Sequence, residues 1–582
     1  SADDVLVSTS DNDIIDGGAG TDTVVFAGNL AGYSLALDPV VGGATVIDTA
    51  PATSGDDGVD TLVNVEKLEF DDTTLTLSRG DGEFLVNTVT NGEQEFPKAL
   101  SLADGGFLIT YRGVDADSSG ILGKLYDSAG NPLGLEFQIN SETTGIQSNT
   151  YYNSDNTIAL ADGGFAVGWH SYQQDVSDGG WAAMTRFFDA NGTAVTDEIV
   201  LNTYTASEQA HVTIIQLTSG DLVYAWQSLG QDAAATYGIY GQRMNVAGEK
   251  IGSEFHISTT TASTQYQPTL VALDNGGFAS FWTSDGQTGG NGTAEIIGQI
   301  YNSTASKIGG EFQVNTYVTS SQHFPNVIQL SNDNIVVAWQ SVSQDGNQGG
   351  VYGQIMTEAG AFVGVEFQLS TATYGEQGAP RMAALENGGF IATWHDGVNG
   401  NDFDNTAQIF DSTGGKVGTE FRINSYLAND QTWPDVTVTE DGGFITTWQS
   451  DLQDGNLSGV YAQRFDADGN ATGTTTLTGT VANEDVTLSD KATSTHVDLG
   501  GGTDSLTLAD ATNFIAVSNT ETITGGTGND TVTTTTALSG DSVDLGDGTD
   551  TLKLTDGPNS VTVSNTETIT GGADSDSITI NG

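Results

Sequence analysis

Seven positions at one phase of a long repeat carry side chains that could hold a sugar or a cation. Directly after a recurring aromatic stand Arg112, His170, Gln227, Thr283, Gln340, His395 and Gln449. Six residues after the same aromatic come Asp117, Asp175, Asp232, Asp345 and Asp454. A second series, Gln94, Gln265, Gln322, Gln377 and Gln431, opens Q-x-x-P, with Trp433 beside the last. Amides donate and accept, carboxylates accept, and aromatic rings offer apolar faces, which together suit sugar hydroxyls. The same groups also cap loop backbone, repeat after repeat. Residues that break the repetition, Arg112, His170, His395 and Trp433, are therefore the sharper ligand candidates.

A different chemistry lies at the two ends. Asp4, Asp13 and Asp22 are spaced by nine, each followed two residues later by Leu6, Ile15 or Val24. The run Gly17-Gly18-Ala19-Gly20-Thr21-Asp22-Thr23-Val24 fits G-G-x-G-x-D-x-U fully, as does Gly525-Gly526-Thr527-Gly528-Asn529-Asp530-Thr531-Val532. Asp504, Asp550 and Asp576 stand in poorer copies. These nonapeptides resemble the RTX (hemolysin-type) calcium-binding repeat. The resemblance implies calcium held between turns of a parallel β-roll, with Asp13, Asp22 and Asp530 as ligands. Turn carbonyls near Gly18, Gly20, Gly526 and Gly528 complete the implied set. It also implies an extracellular or cell-surface protein exported by type I secretion.

The elements that must position these residues follow from repeats, which are sought first because they decide the architecture. The aromatics Tyr111, Trp169, Trp226, Trp282, Trp339, Trp394 and Trp448 are spaced by 58, 57, 56, 57, 55 and 54 residues. Each follows a tight-turn motif such as Asp104-Gly105-Gly106-Phe107, and each repeat opens on an acid–apolar pair, from Glu83-Phe84 to Glu420-Phe421. Four short strands per repeat predict a seven-bladed β-propeller over 83–473. Read with the acid–apolar run as its first strand, each blade places the Q-x-x-P series and the post-aromatic series at one end. The Gly-Gly turns lie at the other. The flanks read as an RTX-like β-roll over 1–82 and a parallel β-solenoid over 474–582. The solenoid repeats every 46 residues, "VDLGGGTDSLTL" returning as "VDLGDGTDTLKL".

Composition limits the functions open to such a chain. Its 582 residues carry 76 acidic and 15 basic side chains, a formal charge of -61. No basic patch can form to neutralise phosphates, which excludes nucleic acid as a partner and disfavours anionic lipid. No segment has the length of a membrane span, so direct insertion is not expected. With no cysteine, the stapling of an exported chain falls to something other than disulfides. Calcium is the expected cofactor, because hard cations take oxygen ligands.

Catalysis needs one acid, base or nucleophile placed unlike its neighbours, and no H-E-x-x-H, G-x-S-x-G or phosphate loop occurs. The expectation is therefore non-enzymatic: a calcium-stabilised structural or adhesive protein of a bacterial surface. Its partners would be further copies, through calcium-dependent contacts of the flanks, or a surface glycan. The alternative is an exported polysaccharide-acting enzyme or a glycan-binding propeller with RTX export repeats.

Overall fold

In the computed structural model the chain is all-β, with one 3-10 turn, Leu30–Gly32, as the helical element among the described residues. The structure describes all residues except 1–3, 10–11, 18–20, 39–42, 51–56, 64, 80–81, 116–117, 129, 131, 149–154, 173, 175–179, 233–235, 262, 288–292, 398–401, 473–474, 493–494, 573 and 582. No described helix is long and apolar enough to cross a membrane.

From Glu95 to Thr472 the strands form seven antiparallel sheets in succession. The fifth is representative: Gln322–Gln329, Asn334–Val342, Gly349–Thr357 and Phe362–Gln368 pair in that order. In five of the seven sheets the tight turn has a second glycine that leaves no room for a side chain. A Cβ on Gly106 would lie 2.4 Å from the Tyr126 carbonyl oxygen, closer than any side chain tolerates.

The recurring aromatics hold sheet to sheet. Trp169, Trp226, Trp282, Trp339, Trp394 and Trp448 are fully buried. Each packs against the preceding sheet, as Trp339 does against Phe281 and Ile296. Truncating such a residue costs about 3–5 kcal/mol. Tyr111 of the first sheet shares a core with Ile445, Val460 and Ala462 of the seventh, so the sheets close into a ring.

The acid–apolar runs are not the first strands of their own sheets, as the sequence reading had them. Phe137 pairs with Gly123 as the outer strand of the preceding sheet. By the same offset Glu83–Leu85 pairs with Ser458–Phe465 and completes the seventh sheet with the start of the repeat region. The acid itself has a fixed task. Glu254 accepts the Thr203 N–H at 2.7 Å and Glu366 the Thr316 N–H at 2.6 Å, and the other five make the equivalent bond.

The flanks are not two separate regions. A ten-stranded sheet runs from Val5–Val7 through Thr74–Arg79 and on through Thr475–Thr478 to Thr568–Thr570. The join is antiparallel, with Leu77 opposite Leu477, while the C-terminal pairs are parallel. A single aliphatic core continues through Val24, Leu68, Leu77, Leu477, Val497, Val532 and Leu552. The two nonapeptide arrays are thus one solenoid with the ring inserted between them. Sequence treated them apart because their joining strands are four hundred residues distant and share no local signal.

The solenoid meets the ring at its Gly-Gly turns. Lys553 Nζ lies 2.5 Å from Asp104 Oδ2, and the Phe514 ring lies against Gly105. Among the described residues no hydrogen bond or ion pair joins the solenoid to the opposite end of the ring.

Candidate functional site at the free end of the ring

The innermost strand of each sheet starts with the glutamine series, and these side chains are buried caps. Gln265 donates to the Ser263 carbonyl at 3.0 Å and accepts from Trp282 Nε1 at 2.9 Å. Gln209, Gln377 and Gln431 donate to loop carbonyls in the same way. Of the described aspartates, Asp345 and Asp454 each accept a loop N–H at 3.1 Å, whereas Asp232 accepts the Tyr240 hydroxyl and lies 3.1 Å from His256 Nε2. Asp117 and Asp175 lie outside the described residues.

Two residues beyond each glutamine the strand breaks register by one residue, a β-bulge that re-aims side chains. Phe96, His211, Gln267, Phe324, Ala379 and Trp433 occupy this position, all with φ between +53° and +57°. A left-handed non-glycine residue is costly, and six in equivalent places mark a feature the fold sustains. Proline follows in five of the six, tolerated because a bulge position need not donate to the ladder. Sequence reasoning found Trp433 here but missed the rest. The signal was the variety of residue types at a position where neighbours repeat.

All seven predicted ligand-face residues lie at this end. The post-aromatic residues pair with those before the bulge, as in Glu95↔Arg112, His323↔Gln340 and Gly378↔His395. Their roles differ. Arg112 pairs with Glu95, lies 3.7 Å from Glu93, and stacks 5.1 Å over Phe96. Gln227 accepts the Gln267 N–H of the next sheet at 3.2 Å. Gln340 donates to Glu376 at 3.1 Å, and Gln449 to Ser458 at 3.5 Å. These amides join sheets or loops.

His170 and His395 are buried. His170 meets Trp181 edge-on at 4.8 Å, and burial, His211 and Arg112 push its pKa down to about 3. Burial pushes His395 down to about 4. Both are neutral packing groups at pH 7. Trp433 gathers an aromatic floor: Phe96 at 6.0 Å, Phe324 at 6.4 Å and His395 at 5.8 Å between ring centres. It reaches Phe324 across the sheet that carries only Ala379 at the bulge.

Beside this floor an open cleft of about 430 Å³ is lined by Gln227, Tyr237, Tyr266, Gln267, His323 and Phe324, among others. The Tyr266 hydroxyl donates to Asp285 at 3.1 Å and lies 3.5 Å from His323 Nδ1. The Tyr237 hydroxyl donates to Glu208 at 2.9 Å. Burial, then the adjacent carboxylate, raises both phenol pKa values. Burial lowers that of His323, against the pull of Asp285. A second cleft, about 220 Å³, lies between the fifth and sixth sheets with Tyr374, Glu376 and Phe403 on its walls.

Beneath the floor, on the ring axis, four charges neutralise one another. Arg381 Nε lies 2.6 Å from Asp435 Oδ1, its other arm pairs with Asp155, and Lys98 Nζ is 3.6 Å from Asp435. Burial drives Lys98 down to about 8, helped by Arg381. Burial alone would raise the Asp435 carboxyl, but Arg381 and Lys98 outweigh it and hold it below its ordinary value. Lys98, Arg381 and Asp435 each stand four residues after the series glutamine, where the third, fourth and fifth sheets have threonine or asparagine. That departure was a visible signal, unused.

The proposed calcium ligands take backbone partners in the solenoid. Asp22 Oδ1 accepts the Asp4 N–H at 2.7 Å, and the Asp22 N–H donates to Glu66 at 2.8 Å. Asp530 accepts the Asn513 N–H at 3.1 Å and donates its own to Asp550 at 2.7 Å, and Asp550 in turn donates to Glu567 at 2.7 Å. The Asp13 N–H reaches Asp60 at 2.9 Å, and its carboxylate takes the Thr9 hydroxyl at 2.7 Å. Gly526 donates to Asp530 at 3.4 Å. Gly528 permits close stacking, since a Cβ there would meet the Ala511 carbonyl at 2.0 Å. Gly18 and Gly20 lie outside the described residues. Among the described residues no group of three or more His, Asp or Glu is placed for a metal ion. Among the described residues of the solenoid, what remains for a cation is one buried carboxylate oxygen without a hydrogen bond on each of Asp22, Glu484, Asp504 and Asp550.

No family model matches the chain, and no curated protein matches it. Solved structures do resemble it. A protein of unknown function from Dyadobacter fermentans covers 67% of this chain and 99% of its own, at 7% identity and a TM-score of 0.42. An alpha-L-arabinanase from Penicillium chrysogenum covers 66% of this chain and 98% of its own, at 14% identity and a TM-score of 0.37. A PL25 ulvan lyase covers 60% of this chain and 92% of its own, at 10% identity and a TM-score of 0.40. The expectation of a non-enzymatic protein is corrected by these findings, because the structures similar to the chain include glycan-cleaving enzymes. Likeness at this level assigns no activity, and what this chain does has to be read from its own free face.

Proposed function

We propose that the ring is a seven-bladed propeller whose free end engages a polysaccharide, as the working part of a polysaccharide-acting protein. The observation that carries this reading is the departure from seven-fold repetition at that end. Phe324 and Trp433 adjoin a cleft in which aromatic faces and amides converge, the usual make-up of a small-molecule site. Within reach of a sugar seated there, Asp285, Tyr266 and His323 form a chain of groups able to move a proton.

In the same reading the solenoid is the RTX-like, calcium-responsive part of an exported extracellular protein. The open carboxylate oxygens of Asp22, Asp504 and Asp550 support that assignment, and no chemical step is routed through the ion.

The test is a panel of plant, algal and bacterial polysaccharides, followed by chain length, reducing ends and unsaturated products. Shortening of one of them, lost in Tyr266→Phe while binding persists, is the expected result. Binding without cleavage would leave a glycan-binding propeller. A protein that neither binds nor shortens any of them would end the proposal.

A further inference from the structure

Resting on that reading, we infer that the free face takes an uncharged glycan and rejects uronate-rich or sulfated chains. The inference comes from where the cations are. Of the 15 basic side chains, Arg112 stands at the mouth of the ring, already paired with Glu95 and Glu93. Lys98 and Arg381 lie below the aromatic floor, spent on Asp435 and Asp155. Arg422, at the rim, faces Asp404 at 3.9 Å. The cleft itself holds no lysine or arginine among its lining residues; its basic groups are His211 and His323, and burial shifts His323 toward the neutral form.

The anions are placed differently. Asp285 and Glu208 stand behind Tyr266 and Tyr237 on the cleft wall. Glu376 and Asp402 line the neighbouring cleft. A sugar carboxylate would meet Glu376 and Asp402 directly in the neighbouring cleft and would face Asp285 and Glu208 behind the phenols in the first, with no lysine or arginine lining either, in a chain of formal charge -61. Like charges brought together in a partly desolvated site oppose binding strongly. An uncharged sugar meets none of this. It can stack on Phe324 and Trp433 and exchange hydrogen bonds with Gln227, Gln267 and the two phenols, which both donate and accept. The specificity is thus built by exclusion as much as by fit.

The experiment uses the full chain with two sets of labelled hexasaccharides. One set is neutral (cello-, manno-, xylo- and arabino-hexaose). The other is anionic (hexamers from polygalacturonate, alginate and ulvan). Each is titrated at about 20 and 300 mM NaCl, which moves the screening length from beyond the cleft to within it. At least one neutral hexaose should bind with an affinity that changes less than about twofold between the two salts, and every anionic hexamer about tenfold or more weaker at low salt. Phe324→Ala should weaken the neutral ligand about tenfold with the melting temperature unchanged. Trp433→Phe serves as the milder second variant, retaining an aromatic floor and most of the binding. Tight binding of an anionic hexamer, weakened by salt, overturns this inference and leaves the glycan reading standing. Absence of binding by every hexamer in both sets overturns both.

Discussion

The ring and the solenoid bury polar groups by opposite rules. In the axial cluster of the ring opposite charges meet: Asp435 answers Arg381 and Lys98, and Asp155 answers Arg381. In the solenoid acid follows acid, Asp530 to Asp550 to Glu567 and Glu484 to Asp504 to Glu521, each bridged by a backbone N–H and, among the described residues, none by a lysine or arginine. Burial and the neighbouring Glu484 and Glu521 carboxylates raise the pKa of Asp504 to about 6. Asp530 and Asp550 are raised as well, chiefly by burial. The contrast teaches that one strongly acidic chain can pair opposite charges in one region and stack like charges on backbone N–H groups in another.

The largest break in this comparison should come from Arg381→Met. It leaves Asp435 buried, and the partly exposed Asp155, without their main cation, and removing one partner of a buried pair typically costs about 3–5 kcal/mol. Calorimetry should show the ring transition falling while the solenoid transition stays. A shift of both together would mean that the two parts unfold as one unit.

Acidification should sharpen it next. His170 and His395 have folded pKa values below the ordinary histidine value. Their contribution is full above about 6.5 and is lost as pH falls toward 3–4. Asp504 is raised, so its contribution is full below about 4 and is lost as pH rises through 6. Between pH 7 and 4.5 the ring should therefore lose stability while the solenoid gains it. Hydrogen exchange read separately for strands such as Phe165–Tyr172 and Thr551–Lys553 would decide this. Parallel change in both regions would remove the contrast.

The smallest effect concerns Asp550→Asn. The amide keeps an oxygen for the Asp530 N–H, and Asn513 and Asn559 already occupy equivalent places in the columns. At pH 7 the variant should be within about 1 kcal/mol of the parent, on the stable side. Calcium at tenfold its dissociation constant should add about 1.4 kcal/mol to the parent solenoid and less to the variant. Equal gains in both would take Asp550 out of the cation's reach.

Much of the ring was legible before any coordinates. The aromatic spacing located its sheets, because a residue that must fill the gap between neighbours recurs once per sheet. The end carrying the site was legible too, since strand direction follows from alternating turns. The site's detail was not. A left-handed Phe324 looks like any strand residue in a sequence, and His170 and His395 read as ligand candidates although burial makes them packing groups. Lys98, Arg381 and Asp435 meet only once the ring closes, being contributed by strands remote along the chain. The union of the flanks was hidden for the same reason, since Leu77 finds Leu477 through the fold alone.

That union bears on how the molecule carries load. The two connections to the ring leave the solenoid from adjacent strands, with Leu77 opposite Leu477. A pull between Val5 and Ile578 has a noncovalent short cut across that pair. Tension therefore runs along the stacked coils and bypasses the ring until the Thr74–Arg79 and Thr475–Thr478 strands part. A ring mounted outside the force path keeps its shape while the backbone that holds it is stretched.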